Sequence, residues 1–297
     1  MSRYALITPL RDEAQNLERI AACVEAQTAR PDPWVLVENG STDDTPAIAA
    51  RLTAAHSWIR LLEMSPPAAA ERGAPIVLAF HHALATLERF PSPVGQLDAD
   101  LTFAPDYFER LLHELDTNER LGIVSGTCFE EEAGEWRERF GTGASVWGAA
   151  RLYRRACLDA VLPLEPRTGW DAIDVAVANA RGWETKVLRD LRFYHHRREA
   201  ERERTRWSAW TAQGRVSHFL GYRPSYLIIR AAFRAFRDPS ALGLVAGYAG
   251  EAIRRRPQCT RTGVRTLVRE QQRLRRLARR AAEARGGRGD ARSGFSH

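Results

Sequence analysis

Few of the 297 residues are cysteines, and none of these cysteines has a partner nearby in the sequence. The four lie far apart and form no C-x-x-C pair; they are Cys23, Cys128, Cys157 and Cys259. A disulfide-rich scaffold or a zinc ribbon needs closely spaced cysteines, so this pattern argues against both. Four unpaired thiols favour a reducing compartment, and we predict a cytoplasmic protein.

The sequence also lacks an uncharged apolar segment long enough to span a membrane, which argues against a transmembrane helix. The short apolar segment Tyr4–Leu10 runs directly into Arg11-Asp12-Glu13 without a small-residue cleavage site. We therefore expect a first strand there and not a signal peptide. Hydrophobic residues make up 44% of the chain, which is enough to bury a sizeable core.

Lysine is almost absent, since Lys186 is the only one, and the basic residues are concentrated near the carboxyl terminus. Residues 192–297 contain 25 of the 44 basic residues and 8 of the 37 acidic residues, a net charge of +17. Residues 1–191 carry a net charge of −10. An acidic part is therefore joined to a strongly basic part.

The first part alternates short apolar segments with longer segments of helical spacing, which is typical of repeated βα units and a mostly parallel sheet. The predicted strands are Tyr4–Thr8, Trp34–Glu38, Ile59–Glu63, Val94–Leu97, Gly122–Cys128, Lys186–Arg189 and Arg192–Tyr194. Helices are predicted at Glu13–Gln27, from Asp43 or Asp44 to Ala55, at Ala74–Arg89, from Pro105, and at Asp171–Arg181. Charged residues 130–139 should lie at the surface, and glycine-rich residues 141–148 in a loop.

The pattern becomes helical and basic from about residue 202. We predict a catalytic domain at residues 1–200, a basic helical region at 201–285 and a disordered tail at 286–297. The helix predicted at Ser225–Arg237 has arginines on one stripe and apolar residues opposite, so it could lie in a membrane interface. The alternative is a helical subdomain that packs on the sheet and exposes a solvated basic face.

Asp98-Ala99-Asp100 directly follows a predicted strand. Open α/β sheets bind their ligands outside the carboxyl ends of the strands. Two carboxylates at that position can share a divalent cation with the phosphate oxygens of a substrate, because Mg²⁺ and Mn²⁺ favour oxygen ligands. The alternative is an ordinary turn in which an aspartate caps the next helix.

Glu38 and Asn39 end another predicted strand and precede the turn Gly40-Ser41-Thr42. Their oxygens can accept hydrogen bonds from the N–H groups of a nucleobase or from ribose hydroxyls. The same residues would also suit an ordinary strand-to-helix turn.

Three segments in combination resemble the family-2 glycosyltransferases in composition, order and separation. They are Ile7-Thr8-Pro9 with Asp12-Glu13, Val37–Thr45, and Leu97–Asp100. The resemblance covers roughly residues 3–200 and implies a GT-A fold, which is a Rossmann-like, mixed and mostly parallel sheet with flanking helices. It also implies inverting transfer of a sugar, of the hexosyltransferase type, from a nucleoside-diphosphate-sugar donor to a hydroxyl group.

The resemblance also implies roles for individual residues. The nucleotide-binding residues would be Pro9, Glu13, Glu38, Asn39, Arg72 and Asp98. Asp98 and Asp100 would bind a divalent metal, Mn²⁺ or Mg²⁺. The family's usual Asp-Asp pair is replaced by Glu38-Asn39, and this departure leaves the preferred nucleobase open.

Inverting transfer needs a carboxylate that accepts the proton of the acceptor hydroxyl. Gly169-Trp170-Asp171 resembles the family's Glu-Asp segment, with Trp170 in place of Glu, and this implies that Asp171 is the base. Asp174 lies three residues further on and could share a helix face with it. Both are candidates for the catalytic base, and Asp171 is preferred; an N-cap is its alternative role.

His195 and His196 follow the last predicted strand segment, where the resemblance implies a histidine near the metal or the diphosphate. Adjacent residues of a strand point to opposite faces, so at most one should line the site, with a slight preference for His195. The glycine-rich segment resembles the acceptor side of the family. The candidate acceptor-binding residues are Trp147, Gly148 and Trp170, although Trp147 could instead be a core residue of a packed turn.

We therefore predict a peripheral enzyme on the inner face of the plasma membrane that resembles bacterial surface-glycan transferases. Its partners would be a nucleotide-sugar donor, a glycan or lipid-linked acceptor in cell-envelope polysaccharide synthesis, and an anionic membrane surface. No nucleic acid is expected, because no recognisable binding module accompanies the basic residues. Two other functions stay open: a nucleotidyltransferase that acts on a sugar phosphate, and a non-enzymatic protein that binds membrane or nucleic acid.

Overall fold

The computed structural model describes residues 3–65, 71, 73–87, 90, 92–132, 134–139, 146–197, 205–236 and 238–273. These residues form two compact units, the first from residues 3–139 and 146–197 and the second from residues 205–273. The residues at the predicted domain boundaries and the predicted disordered tail lie outside the described residues. The predicted domain limits therefore stay predictions.

The first unit is a β-sheet with flanking helices. Its strands are β1 (Ala5–Leu10), β2 (Trp34–Glu38), β3 (Ile59–Glu63), β4 (Val94–Leu97), β5 (Leu101–Phe103), β6 (Leu121–Glu132), β7 (Glu135–Glu138), β8 (Ala150–Tyr153) and β9 (Glu184–His195). Its helices are α1 (Ala14–Glu25), α2 (Thr45–Ala55), α3 (Ala74–Ala85), α4 (Tyr107–Thr117), α5 (Arg155–Val161) and α6 (Trp170–Ala180).

The strand order in the sheet is β3-β2-β1-β4-β8-β6-β9-β5, and β7 pairs with β6. The neighbours among β1 to β4 run parallel, which suits strands joined by helical crossovers. β8 is antiparallel to both β4 and β6, and β5 is antiparallel to β9. β1 and β2 are buried along almost their whole length, as expected for strands covered on both faces. The predicted α/β fold with a mixed sheet is confirmed.

Several elements differ from the sequence-based predictions. β5, β8 and α5, which are three to seven residues long, were not predicted from the sequence. The two strands predicted between Lys186 and Tyr194 are one long strand, β9. The charged segment at residues 130–139 lies at the surface as expected, but it forms the β6–β7 hairpin, in which all four residues of β7 are exposed.

β9 runs parallel to β6 with one irregularity in register. Gly126 pairs with Leu188, whereas the next residue, Thr127, pairs with Arg192. The three additional residues on β9 are an odd number, so they reverse which side chains point to each face of the strand. Leu188 is buried before the irregularity and His195 is buried after it.

The second unit is helical. It contains α7 (Arg206–Phe219), α8 (Pro224–Ala235), a short 3₁₀ helix (Pro239–Leu242), α9 (Gly243–Ile253) and α10 (Val264–Gln271). α7 and α9 approach so closely that a Cβ on Gly247 would lie 2.0 Å from the Thr211 carbonyl oxygen, so only glycine fits there. Among the described residues, no helix is both long and apolar enough to cross a membrane.

Candidate active site

The carboxyl ends of β1, β2 and β4 meet at one edge of the sheet, because β1 pairs in parallel with both neighbours. The loops that follow β1 and β2 are joined by hydrogen bonds. Asp12 Oδ1 accepts from the Thr42 N–H at 2.7 Å, and the Glu13 N–H donates to Thr45 Oγ1 at 2.7 Å. The two loops thus form one connected wall at the edge where open α/β sheets bind ligands.

Glu38 and Asn39 lie on this wall, and both are buried. Burial acts to raise the pKa of Glu38, but hydrogen bonds from Ser41 and from the Gly40 N–H hold that pKa below its usual value. Asn39 Oδ1 accepts no hydrogen bond from the described residues, although the residue is only 2% exposed. Buried amide oxygens normally have a donor, so Asn39 Oδ1 retains an unused capacity to accept a hydrogen bond. Pro9 lies nearby in β1.

Glu13 is buried at the same edge, and burial raises its pKa. Its Oε2 accepts hydrogen bonds from Asn16 Nδ2 at 2.6 Å and from Arg197 Nη2 at 2.7 Å. Arg197 Nε also lies 3.6 Å from Asp100 Oδ2. One guanidinium therefore bridges the wall that carries Glu13 and the acidic pair after β4. The predicted nucleotide-binding residue Arg72 lies outside the described residues.

Asp98, Asp100 and His195 come together at the end of β4. One ligand atom from each lies within 4.8 Å of the others, and Gln96 Nε2 donates to Asp98 Oδ1 at 3.1 Å. His195 Nε2 is 3.1 Å from Asp100 Oδ1 but makes no hydrogen bond with the described residues, although His195 is 5% exposed. A buried ring nitrogen aimed at two carboxylates fits a divalent metal, because Mn²⁺ and Mg²⁺ bind carboxylates and imidazole suits Mn²⁺.

The adjacent His196 points to the opposite face of β9. Its Nε2 lies 2.9 Å from Thr102 Oγ1, and burial lowers its pKa. A second group of three potential ligands, Cys128, Glu130 and His195, shares the histidine of the first group. Burial raises the pKa of the Cys128 thiol to about 12, so that thiol is protonated at neutral pH and is a weaker ligand than the carboxylates.

Asp171 lies in the first turn of α6, and its side chain is 38% exposed. The N-cap of α6 is Gly169, so Asp171 does not cap the helix. Gly148 lies directly against it, since a Cβ on Gly148 would be 3.0 Å from Asp171 Cβ and 3.1 Å from its Oδ2. The structure thus places the predicted base beside one of the predicted acceptor-binding residues.

Asp174 is on the same helix but is buried, with a side chain that is 2% exposed. Its two oxygens accept hydrogen bonds from Arg151 Nη1 at 3.0 and 2.9 Å, and the Tyr153 hydroxyl donates to Oδ2. Burial acts to lower the pKa of Arg151, but the charge of Asp174 outweighs it and raises that pKa. Burial raises the pKa of Asp174 to about 6. At neutral pH the two residues therefore form a buried ion pair.

Arg151 was not among the residues predicted from the sequence. It is fully buried in β8 and also donates to the carbonyl oxygens of Val146 at 2.9 Å and Trp147 at 2.8 Å. Its guanidinium lies 5.2 Å from the centroid of the Trp170 ring. One arginine thus joins the segment before β8 to the first turn of α6. The sequence feature that could have indicated Arg151 is that it is a lone charged residue in an otherwise apolar four-residue segment.

The two predicted acceptor-side tryptophans occupy different environments. Trp147 is half-buried, packs against the main core and lies 5.3 Å below the guanidinium of Arg139. Trp170 is 7% exposed and lies under Arg151. Trp147 therefore has more free surface for a ligand than Trp170. Residues 141–145 of the predicted glycine-rich loop lie outside the described residues.

The Rossmann-like mixed sheet with flanking helices has the architecture of the GT-A fold. The chain belongs to glycosyl transferase family 2, because the sequence model of that family matches residues 5–155, about half of the chain. The resemblance predicted from the three sequence segments is therefore confirmed, and so is the prediction of an enzyme. No curated protein sequence matches the chain.

Solved structures share the fold at low sequence identity. The mannosyltransferase PcManGT from Pyrobaculum calidifontis, in complex with GDP-Man and Mn²⁺, has a TM-score of 0.56 at 17% identity over 97% of this chain and 88% of that chain. TarS 1-349 from S. aureus in complex with UDP has a TM-score of 0.54 at 13% identity over 99% and 94%. Its complex with UDP-GlcNAc has a TM-score of 0.54 at 14% identity over 73% and 66%.

Proposed function

We propose that this protein is an inverting glycosyltransferase that moves a sugar from a nucleoside-diphosphate-sugar donor to an acceptor hydroxyl with the help of a divalent metal. The observation that carries the proposal is the Asp98–Asp100–His195 cluster, whose ligand atoms lie within 4.8 Å of one another. This cluster lies at the carboxyl edge of the sheet of a family-2 chain, where phosphate-bearing ligands of open α/β sheets bind.

Asp98, Asp100 and His195 would hold the metal. When bound, the metal would neutralise the charge that develops on the leaving diphosphate. We infer Mn²⁺ in preference to Mg²⁺, since the set includes an imidazole nitrogen and Mg²⁺ favours oxygen ligands. The Mn²⁺ in the complex of PcManGT supports this choice.

The donor nucleotide would bind along the wall formed by the loops after β1 and β2. Pro9, Glu13, Glu38 and Asn39 line that wall. Asn39 Oδ1 lacks a donor among the described residues, so it would accept the hydrogen bond of a nucleobase N–H. The Arg197 guanidinium, 3.6 Å from Asp100 Oδ2, would contact the diphosphate, because arginine binds phosphate oxygens in a bidentate manner.

Asp171 is the proposed general base. A base must reach the acceptor hydroxyl, and Asp171 is 38% exposed beside Gly148. Asp174 is 2% exposed and is engaged by Arg151, so its proposed role is to hold that arginine in place. Of these two candidates only Asp171 is exposed, and one carboxylate base suits direct displacement at the anomeric carbon, which inverts the configuration.

We further propose that the acceptor is a glycan or lipid-linked glycan used for the cell envelope, and that the enzyme works in the cytoplasm at the inner face of the plasma membrane. The strongly basic second unit supports a partner with negative charge. Trp147 would stack against an acceptor sugar on its exposed side.

The test is thermal unfolding in the presence of UDP-, GDP-, dTDP- and CMP-sugars, each with and without Mn²⁺ or Mg²⁺. A donor at about 100 times its Kd should stabilise the folded protein by about 2.7 kcal/mol, and this gain should require metal. Asp98→Asn/Asp100→Asn should abolish the gain. The matched control is Asp116→Asn/Asp159→Asn, which removes two charges from exposed positions and should retain it.

Stabilisation by nucleoside triphosphates alone would transfer the assignment to a nucleotidyltransferase, which was the other enzyme class left open by the sequence. Equal stabilisation of the Asp98→Asn/Asp100→Asn variant would show that the acidic pair does not bind the metal–nucleotide complex.

A further inference from the structure

Helix α8 exposes a stripe of large apolar side chains. Ile228 is 56% exposed, Ile229 52%, Phe233 73% and Phe236, which follows the helix, 90%. Ala232 lies between them and is also exposed. At about 100° per residue, these five positions cover about 140° of the helix circumference. Contiguous exposed apolar surface of this kind marks an interaction site.

The same helix packs against its own unit through a different face. Leu227 and Ala231 are 1% exposed and form a core cluster with Leu244 of α9. At about 100° per residue, the midpoint of these two positions lies about 150° around the helix axis from the centre of the exposed stripe. Packing within the second unit therefore leaves the apolar stripe uncovered. The face of α8 that packs within the second unit is therefore separate from the face that is available for interfacial docking.

A basic flank lies beside the stripe on α8. Arg230 and Arg234 occupy the positions between the exposed stripe and the buried face, with Arg230 Nη2 3.3 Å from Gln213 Oε1. The described part of the second unit contains 12 arginines and 3 acidic residues. Arg254, Arg255 and Arg256 add a run of three exposed arginines at the end of α9.

This charge decides among the occupants that could cover the stripe. A second copy of the same face would bring arginines against arginines, and like charges across an interface are unfavourable. An anionic lipid surface supplies both an apolar layer for the side chains and negative headgroups for the arginines. A nucleic acid would meet the arginines but would leave the aliphatic stripe in water.

We propose that the second unit docks on an anionic membrane by laying α8 in the interface, with Ile228, Ile229, Phe233 and Phe236 in the acyl boundary and Arg230 and Arg234 at the headgroups. The docking depends on the surface of the second unit alone and does not rest on the transferase activity. Its test therefore measures binding, so it can succeed or fail independently of the proposed reaction.

The experiment is flotation of the full chain with phosphatidylcholine vesicles that contain or lack phosphatidylglycerol. We expect binding to the anionic vesicles and loss of most binding in about 1 M NaCl, where the screening length falls to about 3 Å. Phe233→Ser/Phe236→Ser should lower the partition coefficient about tenfold or more. The matched control Phe233→Leu/Phe236→Leu keeps an apolar stripe and should bind nearly as well as the wild type.

Charge reversal tests the flank in the same assay. Arg230→Glu/Arg234→Glu should lower the partition coefficient about 25-fold or more, since each surface arginine contributes about a fivefold factor. Arg60→Glu/Arg181→Glu changes two exposed arginines of the first unit and should leave binding unchanged. All altered positions in α8 are exposed or half-exposed, and an unchanged Tm would verify folding.

Three results would overturn the proposal. Equal binding by Phe233→Ser/Phe236→Ser would show that the apolar stripe does not insert. If the wild type does not bind vesicles but forms a dimer, and Phe233→Ser/Phe236→Ser dissociates that dimer, then a second copy of the chain is the occupant of the stripe. If the full chain does not bind vesicles but a chain without residues 274–297 does, that segment is the occupant that covers the stripe.

Discussion

Replacement of Arg151 by methionine removes the buried cation that joins β8 to α6. The guanidinium makes five hydrogen bonds, to both Asp174 oxygens, the Tyr153 hydroxyl and the carbonyl oxygens of Val146 and Trp147. Arg151→Met leaves the Asp174 carboxylate buried without its counter-ion. Loss of one partner from a buried ion pair costs about 3–5 kcal/mol. In a domain of this size we expect Tm to fall by about 6–20 °C, at about 2–4 °C per kcal/mol.

A double variant separates stability from positioning. Arg151→Met/Asp174→Leu replaces both charges by apolar groups, and such replacements are often neutral for stability. We therefore expect the double variant to be more stable than Arg151→Met, because it no longer buries a carboxylate without its counter-ion. We expect the kcat of both variants to be about 10²-fold below that of the wild type. In both, the Val146 and Trp147 carbonyl groups lack their donor, and Gly148, which lies beside Asp171, follows these two residues in the chain.

The assays are urea unfolding at neutral pH and turnover with whichever nucleotide-sugar stabilises the protein. An Arg151→Met variant as stable as the wild type would refute the buried-pair argument. Full recovery of kcat in the double variant would show that Arg151 supplies only charge balance and does not position the acceptor side.

Three further changes test the site. Asp171→Asn should lower kcat by about 10²–10⁴-fold with little change in the metal-dependent stabilisation by donor, and a fully active variant would place the base elsewhere. Gly148→Ala should reduce kcat, because its Cβ would lie 3.1 Å from Asp171 Oδ2; the control Gly250→Ala, in α9 of the second unit, should retain activity. Glu38→Gln should reduce the free energy of unfolding at neutral pH. Hydrogen bonds from Ser41 and Gly40 outweigh burial and lower the pKa of Glu38. The stabilisation that the Glu38 carboxylate contributes is therefore present above the usual glutamate pKa of about 4.3, and it is lost as the pH falls through the lower folded-state pKa. Urea unfolding from pH 7 to pH 3 should therefore show the difference from the wild type disappearing in acid, and a difference independent of pH would contradict this account.

The sequence predicted the elements and residues whose signals are local. The strands Trp34–Glu38, Ile59–Glu63 and Val94–Leu97 match the structure residue for residue, because each is a short apolar segment between clear turns. Asp98 and Asp100 could be placed at a sheet edge for the same reason, since they directly follow one of those strands.

The Arg151–Asp174 pair could not be predicted in this way, because the two residues are 23 positions apart. Their contact depends on how β8 and α6 pack, and neither residue has a local pattern that names its partner. β8 itself was missed because its four residues include the charged Arg151, which no local pattern places in a buried strand. The contacts around the predicted acceptor-binding residues therefore depend on tertiary packing, whereas the acidic pair is placed by the end of a strand.

The number of residues in the β9 irregularity determines which of the two adjacent histidines faces Asp98 and Asp100. Leu188 and Arg192 of β9 pair with the consecutive residues Gly126 and Thr127 of β6. The residues between Leu188 and Arg192 therefore determine to which face of the strand each later side chain points. With one residue fewer in that stretch, the phase would be exchanged, and Tyr194 and His196 would take the face now held by His195. The two adjacent histidines therefore cannot replace each other, and an insertion or deletion several residues upstream should disturb the proposed metal site as strongly as substitution of His195.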